Sequence, residues 1–223
     1  MSSSQQDFTM RWAGSQADPV TLTGFNADDC LLGVIDHGRQ RGRSLVIEVD
    51  GIGILNADFQ QGVYHSNVRS EEDFFTVNPR LARVTQGSQA VEGPGRPLEE
   101  LLWKAAYYGS SGRLLEGCNL YDVVELKRWP NFTRLPHTTG CLPLCSLLAR
   151  RPSSIAFAHR MLRVPPDDAM SFFSAARSAG YLRMISAQPD ANGSLSHSVS
   201  ADHDSQGRLI SFWGRLFGRL AGL

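Results

Sequence analysis

The chain has 223 residues, with 22 Lys/Arg balancing 22 Asp/Glu and 42% hydrophobic content. This excludes a disordered or collagen-like chain, and the length accommodates one generous core or two modest ones, of which we read two. The zero net charge conceals an asymmetry: residues 1–97 hold eight Lys/Arg against twelve Asp/Glu, whereas residues 140–187 hold six Arg against two Asp. Such a split suits two domains that attract each other, or a half that faces nucleic acid.

Residues 1–18 are polar and without pattern. From Ala27 to His37, Cys30, Leu31, Val34 and Ile35 form an apolar stripe of helical period behind Asn26, a candidate N-cap. The following SLVIEVDGIGILNADFQQGVYHSNV clusters β-branched and aromatic residues between Gly51, Gly53 and Gly62, which predicts two or three strands joined by tight turns. Leu45, Ile47 and Val49 alternate with Val46, Glu48 and Asp50, so the first strand is expected to have one covered and one wet face. The order helix, strand, Gly turn, strand, Gly, strand, with ILNADFQQGVYHS at 54–66, resembles the bacterial PATAN-type regulatory domain over about 40 residues. The resemblance implies a regulatory N-terminal α+β domain, placed at residues 1–96.

The Gly- and Pro-rich run 85–97 predicts a linker or long loop. Beyond it, residues 97–139 are expected as a helical connector. Pro97 suits the first turn of a helix with Leu98, Leu101, Leu102 and Ala105 on one side, and a second helix is expected from Leu120 to Arg128 behind Asn119.

Three helical signals then follow within residues 140–200. CLPLCSLLARR presents Leu144, Leu147 and Leu148. RPSSIAFAHRML starts at Ser153 or Ser154 as a cap and presents Ile155, Ala158 and Leu162. PPDDAMSFFSAARSAGYL presents Ala169, Phe173 and Ala176 before Gly180. The RVPP connector offers Val164 as a core plug and a proline as helix start, and YLRMIS predicts a strand that turns at Asn192-Gly193 and returns toward Val199. The spacing of Ala158, Leu162, Val164, Pro165, the third helix and Ala179-Gly180-Tyr181-Leu182 resembles the winged-helix superfamily. That resemblance implies DNA binding through the third helix, or service as a protein-interaction module.

With Ala169, Phe173 and Ala176 inward, Asp167, Asp168, Met170, Ser171, Ser174 and Ser178 take the outward positions, where a DNA reader would carry Arg, Lys, Asn or Gln. Two aspartates suit the helix dipole and oppose a polyanion. The basic residues Arg150, Arg151, Arg160, Arg163, Arg177 and Arg183 are the candidate contacts for DNA or a protein partner.

After a polar linker, residues 201–223 end in an amphipathic segment. Leu209, Ile210, Trp213, Leu216, Phe217 and Leu220 gather on one side and Arg208, Arg215 and Arg219 on the other, with Gly214, Gly218 and Gly222 lowering helix propensity. Such a tail packs on its own domain, docks in a partner's groove or lies on an anionic membrane. We expect association through Trp213, Leu216, Phe217 and Leu220, so deleting 208–223 should alter oligomeric state, solubility or partner binding.

His137, Cys141 and Cys145 recur every four residues, but Pro136, Gly140 and Pro143 interrupt a helix there and no fourth ligand stands nearby. GSSGR at 109–113 matches neither a phosphate-binding loop nor a nucleophile elbow, and GIG at 51–53 lacks the third glycine of a dinucleotide fingerprint. Asp28-Asp29 and Glu71-Glu72-Asp73 read as solvent-facing acids, and His65 is the histidine to consider as a general base, without a nucleophile to serve. No enzyme activity, metal or cofactor is expected. Four scattered cysteines, a polar N-terminus and no long apolar run predict a cytoplasmic protein. The expected function is a non-catalytic, bacterial-type regulatory or adaptor protein whose winged helix binds protein. The alternative is a DNA-binding transcriptional regulator with an N-terminal sensor domain.

Overall fold

The computed structural model describes residues 24–87 and 94–185. Asn26 caps a single 3-10 turn, Ala27–Asp29, by accepting from the Asp28 N–H at 2.9 Å, and the first α-helix, α1, begins only at Leu31 and runs to Arg41. The helix expected from Ala27 is thus preceded by a separate turn, and its stripe Leu31, Val34 and Ile35 stands whole in α1 with Cys30 as N-cap. Gly33 of α1 makes room for that turn, since a Cβ there would stand 2.7 Å from the Ala27 carbonyl oxygen. α1 closes on Gly42, whose φ of 61° is the left-handed cap that glycine adopts without strain.

Strands β1 (Leu45–Val49), β2 (Gly53–Asp58) and β3 (Val63–Val68) form the expected antiparallel meander, with Ile47 opposite Leu55 and Leu55 opposite Ser66. Helix α2 (Glu71–Thr76) follows, capped by Ser70, and β4 (Arg83–Gln86) returns to pair with β1. The two-residue β5 (Arg96–Pro97) completes a sheet of order β4-β1-β2-β3-β5. Leu45, Ile47, Val49, Leu55, Ala57 and Tyr64 share one face of this sheet and join the core. Val46, on the opposite face, is buried too, so the wet face expected for β1 is not wet along its length.

Helix α3 (Leu98–Ser110) carries the expected Leu101, Leu102 and Ala105 inward, but Glu100, Trp103, Lys104 and Ala106 are buried as well. The helix is covered nearly all round because it contacts α1 and α2 on one side and α6 on the other. The buried apolar residues from Phe25 to Leu182 make one continuous cluster.

The second helix expected at Leu120–Arg128 is absent. Asn119 accepts from the Tyr121 N–H at 2.9 Å and Asp122 accepts from the Asn119 N–H at 3.0 Å, a side-chain-held turn that competes with a helix start. Val123 and Val124 then favour an extended chain, and β6 (Val123–Leu126) forms.

The three later helices stand where expected: α4 (Cys141–Arg150), α5 (Ile155–Leu162) and α6 (Pro166–Ser178), with Ser154 capping α5 and Pro166 opening α6. Val164 is buried and packs against Gly140 at the start of α4. The short strands β7 (Ser153–Ser154) and β8 (Leu182–Met184) flank β6 in a sheet of order β7-β6-β8, so a strand from upstream of the helices takes the centre. The expected return strand toward Val199, and the tail residues Trp213, Leu216, Phe217 and Leu220, lie outside the described residues. The mixed α+β class holds throughout the described part, with both sheets antiparallel.

Candidate interaction surface

In the winged-helix resemblance α6 takes the place of the third helix, the one that would meet DNA. In the structure eight consecutive residues of that helix, Ala169 to Ala176, are buried. Phe172 and Phe173 enter the core, where burial of each contributes about 1.5 to 3 kcal/mol. Of the serines expected to face outward, Ser171 and Ser174 point into hydrogen bonds instead, and the Ser178 hydroxyl is buried without a hydrogen-bond partner among the described residues. Ser171 receives the Ser110 hydroxyl at 2.9 Å and the Gly112 N–H at 3.2 Å, and Ser174 receives the Leu115 N–H at 3.1 Å while donating to the Arg113 carbonyl at 3.3 Å. Met170 is buried beside them. Asp167 and Asp168 remain at the first turn, where acids suit the helix dipole. The outward face assigned to Met170, Ser171 and Ser174 is therefore corrected: it is an interface with α3 and the segment after it. Small hydroxyl side chains suit that position because they let the two backbones approach and satisfy the loop's free N–H groups.

The six candidate arginines occupy several elements. Arg150 ends α4 and Arg151 caps it; Arg160 lies in the last turn of α5 and Arg163 caps that helix in the left-handed conformation, φ 54°. These four are exposed, and no acidic residue occurs anywhere from Cys141 to Pro166. Arg183 is spent on a cross-strand ion pair with Glu125 of β6, and Arg177 is half-buried beside Cys118, whose thiol is raised by burial and drawn down by Arg177.

Beside α5 the structure forms a groove of about 500 Å³ lined by Tyr121, Ser154, Ala156, Phe157, Arg160 and Met161. Its walls are tied together through the backbone, because the Ala156 N–H donates to the Leu120 carbonyl at 2.9 Å and β7 pairs with β6. The Asn119 turn therefore sets Tyr121 beside the outer side of α5. Phe157 and Met161, one helical turn apart, are 43% and 45% exposed, and Tyr121 is 51% exposed. Sequence reasoning took the Ile155, Ala158 and Leu162 stripe and passed over this second one. The signal was present: residues 157 and 161 repeat at four on the side away from Ile155 and Ala158.

The other candidates separate. His137 pairs its Nδ1 with the Leu135 carbonyl at 2.9 Å and packs on Phe132, while Cys141 and Cys145 point into the core. Burial pushes the Cys145 thiol up to about 12 and raises Cys141, so neither is a ready thiolate ligand at neutral pH. Among the described residues no cluster of His, Cys, Asp and Glu has a metal-holding arrangement. His65 sits on β3 opposite Asn56, next to Gly95.

The acids at Glu71-Glu72-Asp73 start α2 behind Ser70, and Glu71 does more than face solvent. It receives the ammonium of Lys104, which is 1% exposed, at 2.5 Å, with Arg96 at 3.6 Å. On the same side of α3 the buried Glu100 pairs with Arg134 at 3.3 Å. Arg128 pairs with Glu99 at 2.9 Å and lies over the Tyr181 ring at 4.6 Å from its centre. These pairs hold α3 to its neighbours.

No protein-family model, no curated protein and no solved structure matches this chain. Among the described residues no helix is long and apolar enough to cross a membrane.

Proposed function

We propose that the chain is a non-catalytic regulatory or adaptor protein of the cytoplasm, and that its α4–α6 unit is a winged-helix-type module that binds protein. The observation that carries this reading is the burial of α6. A helix covered from Ala169 to Ala176 has no face to lay in a major groove, whereas α5 beside it exposes two large apolar side chains, Phe157 and Met161, around a groove that Tyr121 completes from the Asn119 turn. In this reading the N-terminal sheet with α1 and α2 is the regulatory part, and the tail around Trp213, Leu216, Phe217 and Leu220 mediates association with itself, a partner or an anionic membrane.

One observation favours the alternative, a DNA-binding regulator. Arg150, Arg151, Arg160 and Arg163 are exposed in a stretch without acids, and arginines so placed hold phosphates without any reading helix. A titration of the full chain against random duplex DNA, from low to physiological salt and with Arg160→Glu and Arg177→Glu as controls, separates the two. Absence of binding at low salt agrees with the interaction module. Tight, steeply salt-dependent binding that Arg160→Glu abolishes would make the chain a DNA-binding protein instead.

A further inference from the structure

The groove beside α5 has a chemistry that narrows what fills it. Phe157 and Met161 offer two anchors one turn apart, Tyr121 faces them from the Asn119 turn, and Ala156 lies between. Arg160 stands among these apolar residues, and Arg150, Arg151 and Arg163 extend the same sign of charge over the exposed parts of α4 and α5. From Cys141 to Pro166 there are four arginines and no carboxylate.

We propose that this groove receives an acidic amphipathic helix of a partner protein, which seats apolar side chains spaced at i, i+3 or i+4 against Tyr121, Phe157 and Met161 while its carboxylates meet the arginines. This rests on the reading of α4–α6 as a protein-interaction module. An exposed apolar pair on a helix is matched by the apolar stripe of another helix, and Arg160, the charged residue in the groove lining, favours a partner of the opposite sign. The chain's own segment 208–223 has the apolar pattern in its sequence and fails on charge: it carries Arg208, Arg215 and Arg219 and no acid, so it would bring like charge to Arg160. Duplex DNA fits the charge and leaves Phe157, Met161 and Tyr121 without apolar partners.

The test uses the isotopically labelled full chain and three synthetic peptides of about 16 residues, long enough to form a helix. One is Glu-rich with a Leu/Phe stripe, one has the same composition with the stripe scrambled, and one is Lys-rich with the intact stripe. We expect the Glu-rich amphipathic peptide alone to bind saturably, shifting the amide resonances of Tyr121, Phe157, Arg160 and Met161. Phe157→Glu and, independently, Met161→Glu should each weaken it by about tenfold or more. Arg160→Glu should weaken it several-fold and flatten its salt dependence. Both apolar residues are surface side chains, and circular dichroism confirms that the variants are folded.

Equal binding of all three peptides, no binding at all, or binding indifferent to Phe157→Glu and Met161→Glu would overturn the proposal. So would groove resonances that move when residues 208–223 are deleted, which would make the tail the occupant. Peptide shifts confined to another face of α4 or α5 would overturn this inference and leave the interaction module standing. Groove shifts produced by duplex DNA and by no peptide would overturn both.

Discussion

Ser110 donates its hydroxyl hydrogen bond to Ser171 at 2.9 Å across 61 positions of chain, where α3 packs against α6. The same Ser171 oxygen accepts from the Gly112 N–H at 3.2 Å, so one buried hydroxyl secures both the helix and the turn that follows α3. Ser171→Ala leaves the Gly112 N–H without this acceptor, while the Ser110 hydroxyl keeps the Tyr107 carbonyl at 2.7 Å, and should cost about 1 to 2 kcal/mol. Urea denaturation measures it. A variant as stable as the parent would mean that this side of α6 is open to solvent, and the argument against a DNA-reading helix would fall with it.

The Lys104–Glu71 pair should behave asymmetrically. Glu71→Ala strands an ammonium that is 1% exposed, and a loss of about 2 to 3 kcal/mol is expected, below the range for wholly buried pairs because Glu71 is itself a third exposed. Lys104→Met removes the charge and keeps the packing volume, and should lie within about 1 kcal/mol of the parent. The two denaturation midpoints, compared directly, check the asymmetry. Equal losses would place the contribution in packing.

Gly33 lies inside α1, where alanine ordinarily stabilises a helix by about 1 kcal/mol. Here an added Cβ would stand 2.7 Å from the Ala27 carbonyl oxygen and 2.7 Å from the Asp28 Cα, both backbone atoms that cannot swing aside. Gly33→Ala should therefore destabilise, by about 1 to 3 kcal/mol. A thermal melt that rises on substitution would show that the turn before α1 yields easily.

His159, on α5 beside the groove residue Arg160, should make stability depend on pH. Burial lowers its pKa, a backbone hydrogen bond with Val164 opposes the shift, and the charge of Arg160 adds to it. The unfolded chain thus takes up a proton at a higher pH than the folded one. The contribution is fully present above the ordinary histidine value of about 6.5 and is lost as pH falls through the lowered folded value. Urea midpoints taken from pH 7.5 downward should drop more steeply for the parent than for His159→Gln. Parallel curves would remove His159 from the account.

Local signals were legible wherever they had local causes. Ser154 caps α5, Pro166 opens α6, Val164 plugs the core, and the glycines at 51, 53 and 62 bound the β1–β3 meander, because capping, proline geometry and tight turns are decided within a few residues. The misreadings share one origin. Leu120–Arg128 has a passable helical pattern, yet β6 is recruited as the central strand between β7 and β8, whose residues lie some 30 to 60 positions later. Met170, Ser171 and Ser174 look outward on a helical wheel drawn for an isolated three-helix unit, and are buried because α3 supplies a second wall.

What the chain determined by itself was the order and type of most elements and the concentration of arginine without acid between Cys141 and Pro166, since these depend on side chains within a turn or two of one another. Only the tertiary structure decided which helix faces are surface. Burial is a property of pairs of elements: α3 covers α6, and the Leu120 carbonyl draws the start of α5 against the Asn119 turn. That second contact makes one groove by bringing Tyr121 to Phe157 and Met161, and its distance from them in sequence carries no sign of their meeting.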